Sequence, residues 1–462
     1  MNAAQSEPPQ AEPSAAVLEA RRLALAWIDE HTDELTEFCK DFVRYPSVFT
    51  EERQVQDEFV EPFLRDGGYD EVTRHSDDPD QERPNLSAVW RGAGGGRSLL
   101  YNGHCDVVPV YEHERKHRWH RDPFDPVVED GNLYGRGSTD MKGGISAYLW
   151  AVRALQELDL QLAGDVISTV VIGEESAHPH FGCLPTMRRE MEARGKPDLT
   201  IVAEPTHNEL HAISGGFFGI EIEIQGKEVH ISERNLMSWP QRYGIPQGEA
   251  VGVDALKYLR ELLNRLEQLE RRWVMSYRHP LMGGGGYPLP IDRQGVAPFF
   301  IAVGRAEAGD WMGSVPGHAR IEGGVLYPGW VDVEEIKVDL RAEIDAWVSR
   351  DPWLVAHPPT VRIAERYDVP PFSLPLDHPA CEVLSEAYET ATGKHAVLSG
   401  FKGVHDGCYM QQQYGIDVIT FGPGDLVMGA HGANEYVPIE QLVDCASAFA
   451  VMTIDWCGLA GE

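Results

Sequence analysis

The stretch "DVISTVVIGEESAHPH" (residues 165–180) decides how this chain is read. A β-branched apolar run, Val166, Ile167, Val170, Val171 and Ile172, leads to Gly173 and then to two adjacent glutamates, Glu174 and Glu175. Burying one carboxylate at the end of a core strand is costly, so two side by side need a purpose. Near-continuous apolar strands belong to parallel sheets covered on both faces, and similar runs recur along the chain. "SLLYNGH" (98–104), "LTIVAEP" (199–205) and "DVITFGPG" (417–424) read as strands, and "GGISAYLWAVRALQEL" (143–158) as a helix opened by glycines. Helical periodicity also runs over 17–45, ending before Pro46, and over 379–392 and 438–457. This alternation predicts an α/β fold with a mostly parallel sheet.

Between 213 and 370 the pattern changes. "FFGIEIEIQG" (217–226) alternates with period two, as a half-exposed strand does. A helix over 253–271 with a leucine face, strands over 296–305 and 318–326, a helix over 332–348 and a strand over 360–366 follow. That β-α-β-β-α-β order is the ferredoxin-like unit. The Gly- and Pro-rich segments 238–249 and 279–295 read as loops within it. The chain therefore divides into a disordered tail (1–16), a parallel α/β domain in two pieces (17–212 and 371–462) and an inserted smaller α+β domain (213–370).

The 462 residues are 42% hydrophobic, enough for a sizeable core. A net charge of −33, from 73 acidic and 40 basic residues, argues against nucleic acid or an anionic membrane as partner. No run of 18 apolar residues occurs, and the N-terminal segment lacks the basic and apolar regions of a secretory signal. Seven scattered cysteines, with no CxxC pair, suit reduced thiols in the cytoplasm.

The chemistry-bearing residues gather where the core strands end. "NGHCDVV" follows the first, "GEES" and "AEPT" two others, "GAHGANEYVP" (429–438) comes after the strand at 417–424, and "GRGSTDMKGG" opens a helix. In open α/β sheets such ends face one crevice, where ligands bind. Each cluster alone carries little: an HxD pair such as His104–Asp106 is ordinarily a hydrogen-bonded pair, and an Asp before a helix, such as Asp140, a cap. Together, two histidines and several carboxylates at one sheet edge match the ligand set of a dinuclear divalent-metal site.

"GHCDVVP", "WHRDPFDPVVEDGNLYGRGSTDMKGG", "GEES", "AEPT" and "FGPG…AHGANEYVP" run in the order found in the co-catalytic zinc family of aminoacylases, glutamate carboxypeptidase, acetylornithine deacetylase and succinyl-diaminopimelate desuccinylase, which this sequence resembles. The resemblance covers nearly the whole two-piece domain, the catalytic one, and makes the insert the family's lid. It implies that His104 and Glu204 hold one metal, Glu175 and His431 the other, with Asp140 bridging. Asp106 would hydrogen-bond the His104 imidazole, and the Asp140–Met141 peptide would be cis. Glu174 would act as general base on a water shared by two ions, taking its proton and passing it to the leaving amine. Zn²⁺ is the first expectation, with Mn²⁺ and Co²⁺ fitting the same donors. "GKEVHIS" (226–232) resembles the lid motif whose histidine, here His230, stabilises the oxyanion in the neighbouring subunit. A homodimer or higher homo-oligomer formed through the lid follows.

Two departures bear on substrate. In "GSVPGHARIEGGVLYPG" (313–329) the places that commonly supply an Asn and an Arg to a substrate carboxylate fall on Gly313 and Val325, with Arg320 or Arg366 as substitutes. "GVHDGCYM" (403–410) has His405 where relatives carry Ser or Thr. The expectation is a metal-dependent hydrolase of a C–N bond in a small amino acid-like substrate, a deacylase, dipeptidase or carboxypeptidase. Two alternatives stand beside it: deamination or other C–N hydrolysis of an aromatic or non-α-amino-acid substrate, and an inactive binding protein that keeps the fold.

Overall fold

The computed structural model describes residues 13–80, 82–234, 251–277 and 299–462. Most of the expected tail and both expected loops, 238–249 and 279–295, lie outside the described residues, as does the side chain of Arg366. The chain forms two compact units, one of Met1–Ala212, Leu374–Leu398 and Tyr409–Glu462, the other of Ile213–Ser373 and Ser399–Cys408.

The first unit is built on a sheet in which Val166–Val171, Leu99–His104, Leu199–Val202 and Val418–Thr420 lie side by side and parallel. Asn85–Trp90 and then Glu71–His75 add to the Val166 side, both antiparallel. Every residue of the four parallel strands is buried, which is why they read as continuous apolar runs. The polar members find partners inside: Thr169 Oγ1 donates to the Tyr101 carbonyl at 3.0 Å and accepts from Asn102 Nδ2 at 3.0 Å. The helices Gly143–Glu157 and Ile439–Cys457 cover the sheet with largely buried residues. Tyr101 Oη joins strand to helix through the Phe449 carbonyl at 3.1 Å.

Parallel strands end at one edge, and their register fixes what meets there. His104 pairs with Val171, three residues before Glu174, and Asn102 and Thr420 flank Val202, two residues before Glu204. The expected helix over 17–45 is two, Ala15–Glu30 and Thr32–Val43. It breaks at His31, whose ring stacks on Trp27 at 3.9 Å and whose Nδ1 donates to the Trp27 carbonyl at 2.7 Å, a side chain competing for a backbone acceptor. All seven cysteines are buried and none forms a disulfide.

In the second unit Thr360–Val369, the 213–225 part of Leu210–Gln225, His318–Pro328 and Phe300–Ala308 form an antiparallel sheet in that order. The helices Ala255–Ser276 and Val333–Val348 pack on it through Leu259, Leu262, Leu266, Ile336, Leu340 and Ile344. This is the ferredoxin-like order, with the last strand beside the first. Asp254 and Asp332 cap the two helices, their side chains accepting from the N–H groups of Leu256 and Glu334.

One close approach ties helix to site. A Cβ on Gly144 would stand 1.8 Å from the carbonyl oxygen of Ala203, the residue before Glu204. Gly144→Ala must push the helix off the strand end; it is expected to cost about 1–3 kcal/mol of stability, read by chemical denaturation, and an unchanged midpoint would contradict this packing.

Candidate metal centre

His104 ends its strand and is 2% exposed. Its Nδ1–H donates to the main-chain carbonyl of Asp106 at 2.9 Å. A carbonyl can only accept, so this bond fixes the tautomer and leaves the Nε2 lone pair facing inward. Nε2 lies 3.5 Å from Asp140 Oδ1, 3.5 Å from Glu204 Oε1 and 3.9 Å from Glu174 Oε2. It is a buried atom with no hydrogen-bond partner among the described residues.

Asp140 turns its other oxygen, Oδ2, to His431 Nε2 at 3.4 Å, and His431 Nε2 lies 2.9 Å from Glu175 Oε2. One carboxylate thus stands between two imidazoles, each with a second carboxylate of its own. Asp140 belongs to the irregular turn before the Gly143 helix, with φ −121° and ψ 93°, and its peptide bond to Met141 is cis. It caps nothing.

Glu174 and Glu175 follow Gly173, whose φ of +81° turns the chain sharply at the strand end. The amides of Ala177 and His178 close that turn onto the carbonyls of Glu174 and Gly173, both at 2.8 Å. The side chain of Glu175 is 5% exposed and that of Glu174 17%. The side chain of Asp106 acts on this turn, and only its main-chain carbonyl reaches the imidazole. Its carboxylate accepts the Glu175 N–H at 3.1 Å, while the nearer oxygen stands 3.6 Å from His104 Nδ1, beyond hydrogen-bond reach.

The charge balance is lopsided. Asp106, Asp140, Glu174, Glu175 and Glu204 face two imidazoles. Burial pushes the Glu204 carboxyl up to about 7, with His104 opposing. Burial and the Asp140 charge also raise Glu175, and burial raises Asp106. Both histidines move up: burial works against their charged forms, but Asp140 and Glu204 outweigh it at His104, and Asp140 and Glu175 at His431. For Asp140 burial works upward, yet the two histidines hold it well below the usual carboxylate range. The raised carboxyls and imidazoles call for positive charge among these oxygens, and Asp140 already draws it from the two histidines. An inward lone pair facing carboxylates at 3.5 Å, and an orphaned buried oxygen on Glu175, fit divalent cations of the hard-to-borderline class. The donor atoms of His104, Asp140 and Glu175 lie within 4.8 Å of one another.

The sequence reading overlooked Glu435 and Arg136, though both stand in quoted motifs. The Glu435 carboxylate, 1% exposed, accepts from the amides of Gly137 (2.9 Å), Thr139 (3.0 Å) and Asp140 (3.0 Å) and from Arg136 Nη1 (2.6 Å). A charged pair inside two Gly-rich motifs was the available signal. Asn434 pins the same loop, accepting from the His120 N–H at 2.8 Å and donating to the Arg118 carbonyl at 2.9 Å.

The remaining candidates belong to the second unit. His230 is exposed, its Nδ1 accepting the Ser232 amide at 3.3 Å. Gly313 offers no side chain, and Val325 is fully buried in that unit's core. Arg320 pairs with Glu221 at 3.0 Å and with Glu322. His405 is buried between Phe372 and Phe401, 5.1 Å from each ring.

The chain is 28% identical over 447 residues to the N-formyl-4-amino-5-aminomethyl-2-methylpyrimidine deformylase of Halalkalibacterium halodurans, covering 94% of this chain and 97% of the relative. It is 26% identical to the succinyl-diaminopimelate desuccinylase of Cupriavidus necator over 409 residues, 87% of this chain and 93% of the relative. Human carnosine dipeptidase 1 shares the fold, with a TM-score of 0.73, 17% identity and coverage of 96% of this chain and 99% of that one. The model of peptidase family M20/M25/M40, whose M20 members are dinuclear metal enzymes, matches residues 100–454. The chain belongs to that family and is a metal-dependent hydrolase of amide C–N bonds.

Proposed function

We propose that the first unit hydrolyses a small amide at a dinuclear centre held by His104 and Glu204 on one side and Glu175 and His431 on the other, with Asp140 between. The observation that carries this reading is the division of Asp140, one oxygen toward each histidine. Zn²⁺ is the ion we propose, with Mn²⁺ and Co²⁺ suited to the same two imidazoles and three carboxylates. Such ions, when bound, would lower the pKa of the attacking water and polarise the substrate carbonyl.

The protein's own part rests on the glutamate pair. Glu175, the more enclosed, lies against His431, while Glu174 is more open and stands at the edge of the cluster. Glu174 accepts the proton of the attacking water and delivers it to the amine nitrogen as the C–N bond breaks, so it ends the cycle ionised. His230, on the second unit, serves as the oxyanion donor of a partner copy, the second unit acting as the lid through which two copies associate.

A second reading concerns the amine half of the substrate. The expected carboxylate-binding Asn and Arg are replaced by Gly313 and by a Val325 that is buried, and one relative is a deformylase of an aminomethylpyrimidine. Both favour an N-acyl amine without an α-carboxylate.

Three outcomes are expected. Glu174→Gln lowers kcat by about 10²–10⁴-fold while two ions per chain remain by elemental analysis; turnover within tenfold of wild type at full metal content would remove Glu174 as the base. Mixing inactive E174Q with inactive H230A chains under exchange restores roughly a quarter of wild-type activity, because mixed dimers hold one intact site; no recovery despite proven mixing would mean that His230 does not act across the interface. In a substrate panel, N-formyl derivatives of heterocyclic methylamines exceed N-acyl amino acids and dipeptides in kcat/KM by at least ~10-fold, and the reverse order would restore the amino acid-like reading.

A further inference from the structure

The Arg136–Glu435 pair lies in the first unit, behind the proposed ligands. A carboxylate offers about four acceptor positions, and Glu435 has four donors: the amides of Gly137, Thr139 and Asp140, and Arg136 Nη1. The second arm of Arg136, Nη2, donates to the Gly432 carbonyl at 2.8 Å. Gly432 follows His431 and Glu435 lies four residues beyond it, so one buried ion pair ties both the turn carrying Asp140 and the loop carrying His431. His104 and Glu204 need no such help, since each stands at or just beyond the end of a hydrogen-bonded strand.

We infer that Glu435, locked by Arg136, is a positioning residue that sets the spacing of Asp140 and His431 and so controls the metal position of His431 and Glu175 ahead of that of His104 and Glu204. Both of its oxygens are taken up by these four donors. Its effect comes from holding three amides of one turn and one loop in a single frame, as residues behind metal ligands do when they fix ligand orientation. His431 depends on that frame more than the strand-borne ligands do: its φ is +56°, a conformation a residue with a β-carbon keeps only when its surroundings hold it. The inference rests on the dinuclear reading above.

The test uses the full-length, metal-stripped chain titrated with Zn²⁺ alone, by calorimetry and elemental analysis, with folding checked by circular dichroism. Wild type is expected to take up two ions. Glu435→Gln, which keeps the shape but turns an amide NH₂ toward N–H donors, is expected to bind the first ion within ~3-fold of wild type and the second at least ~10-fold more weakly. Glu435→Asp keeps the charge and draws the carboxylate back from the three amides; it is the second variant should Gln not fold, and the same unequal loss is expected. A folded variant with both affinities unchanged, or with both reduced equally, overturns the inference, as does failure of both variants to fold, which would make the pair a folding element. If wild type itself takes up fewer than two ions, the dinuclear reading falls and the inference with it; two ions in wild type, with the second bound as tightly by both variants, sink the inference alone.

Discussion

Repulsion among carboxylates at one edge of a sheet is the constraint around which this molecule is organised. Five acidic side chains converge on two imidazoles in a region where burial raises Glu175, Glu204 and Asp106. Charges taken out of water at this density destabilise a fold unless cations or protons meet them. The parallel strands deliver the groups, because four strand ends lie at one edge; the same arrangement obliges the site to hold positive charge. Fold and chemistry are two sides of one electrostatic condition.

Strand ends are rigid and turns are not, and the site draws on both. His104 and Glu204 inherit their places from the sheet register. Asp140, Glu175 and His431 lie on turns and loops, and each is held by hydrogen bonds from elsewhere: Glu435 to the Asp140 amide, Asp106 to the Glu175 amide, Asn434 to the backbone around Trp119. A catalytic constellation needs its groups fixed to fractions of an ångström. Here the turns and loops are held by the buried carboxylates of Glu435 and Asp106 and by the Asn434 amide.

The legible part of the sequence was the part with a period. Fully buried strands announce themselves as apolar runs, and the clusters after them gave the seven residues that the structure brings together. What escaped has physical reasons. Glu71–His75 is a half-exposed edge strand without an apolar run, and Asn85–Trp90 hides Asn85 and Ser87 in its interior, where Asn85 donates to the Phe181 carbonyl at 2.6 Å and accepts the Ile172 amide at 3.1 Å. The break at His31 comes from a side chain competing for a carbonyl, which no periodicity records. Asp106 was expected to orient His104 with its carboxylate; it does so with its carbonyl, and backbone acceptors are invisible in a residue name. Glu435 showed only as a charge in a Gly-rich motif, because its amide partners lie 295 to 298 residues away.

The buried cysteines give the chain a built-in gauge of its own opening. A thiol reacts as its thiolate, and burial pushes Cys39 up to about 12 and Cys105 well above the ordinary thiol range. Cys105, fully buried, sits between His104 and Asp106, so a reagent in solution meets its sulfur only when the strand end that carries His104 has come apart. Alkylation at that position therefore times the breathing of the active edge, while the other six sulfurs report on the remainder of the interior. The protein needs no added label for its local unfolding to be followed.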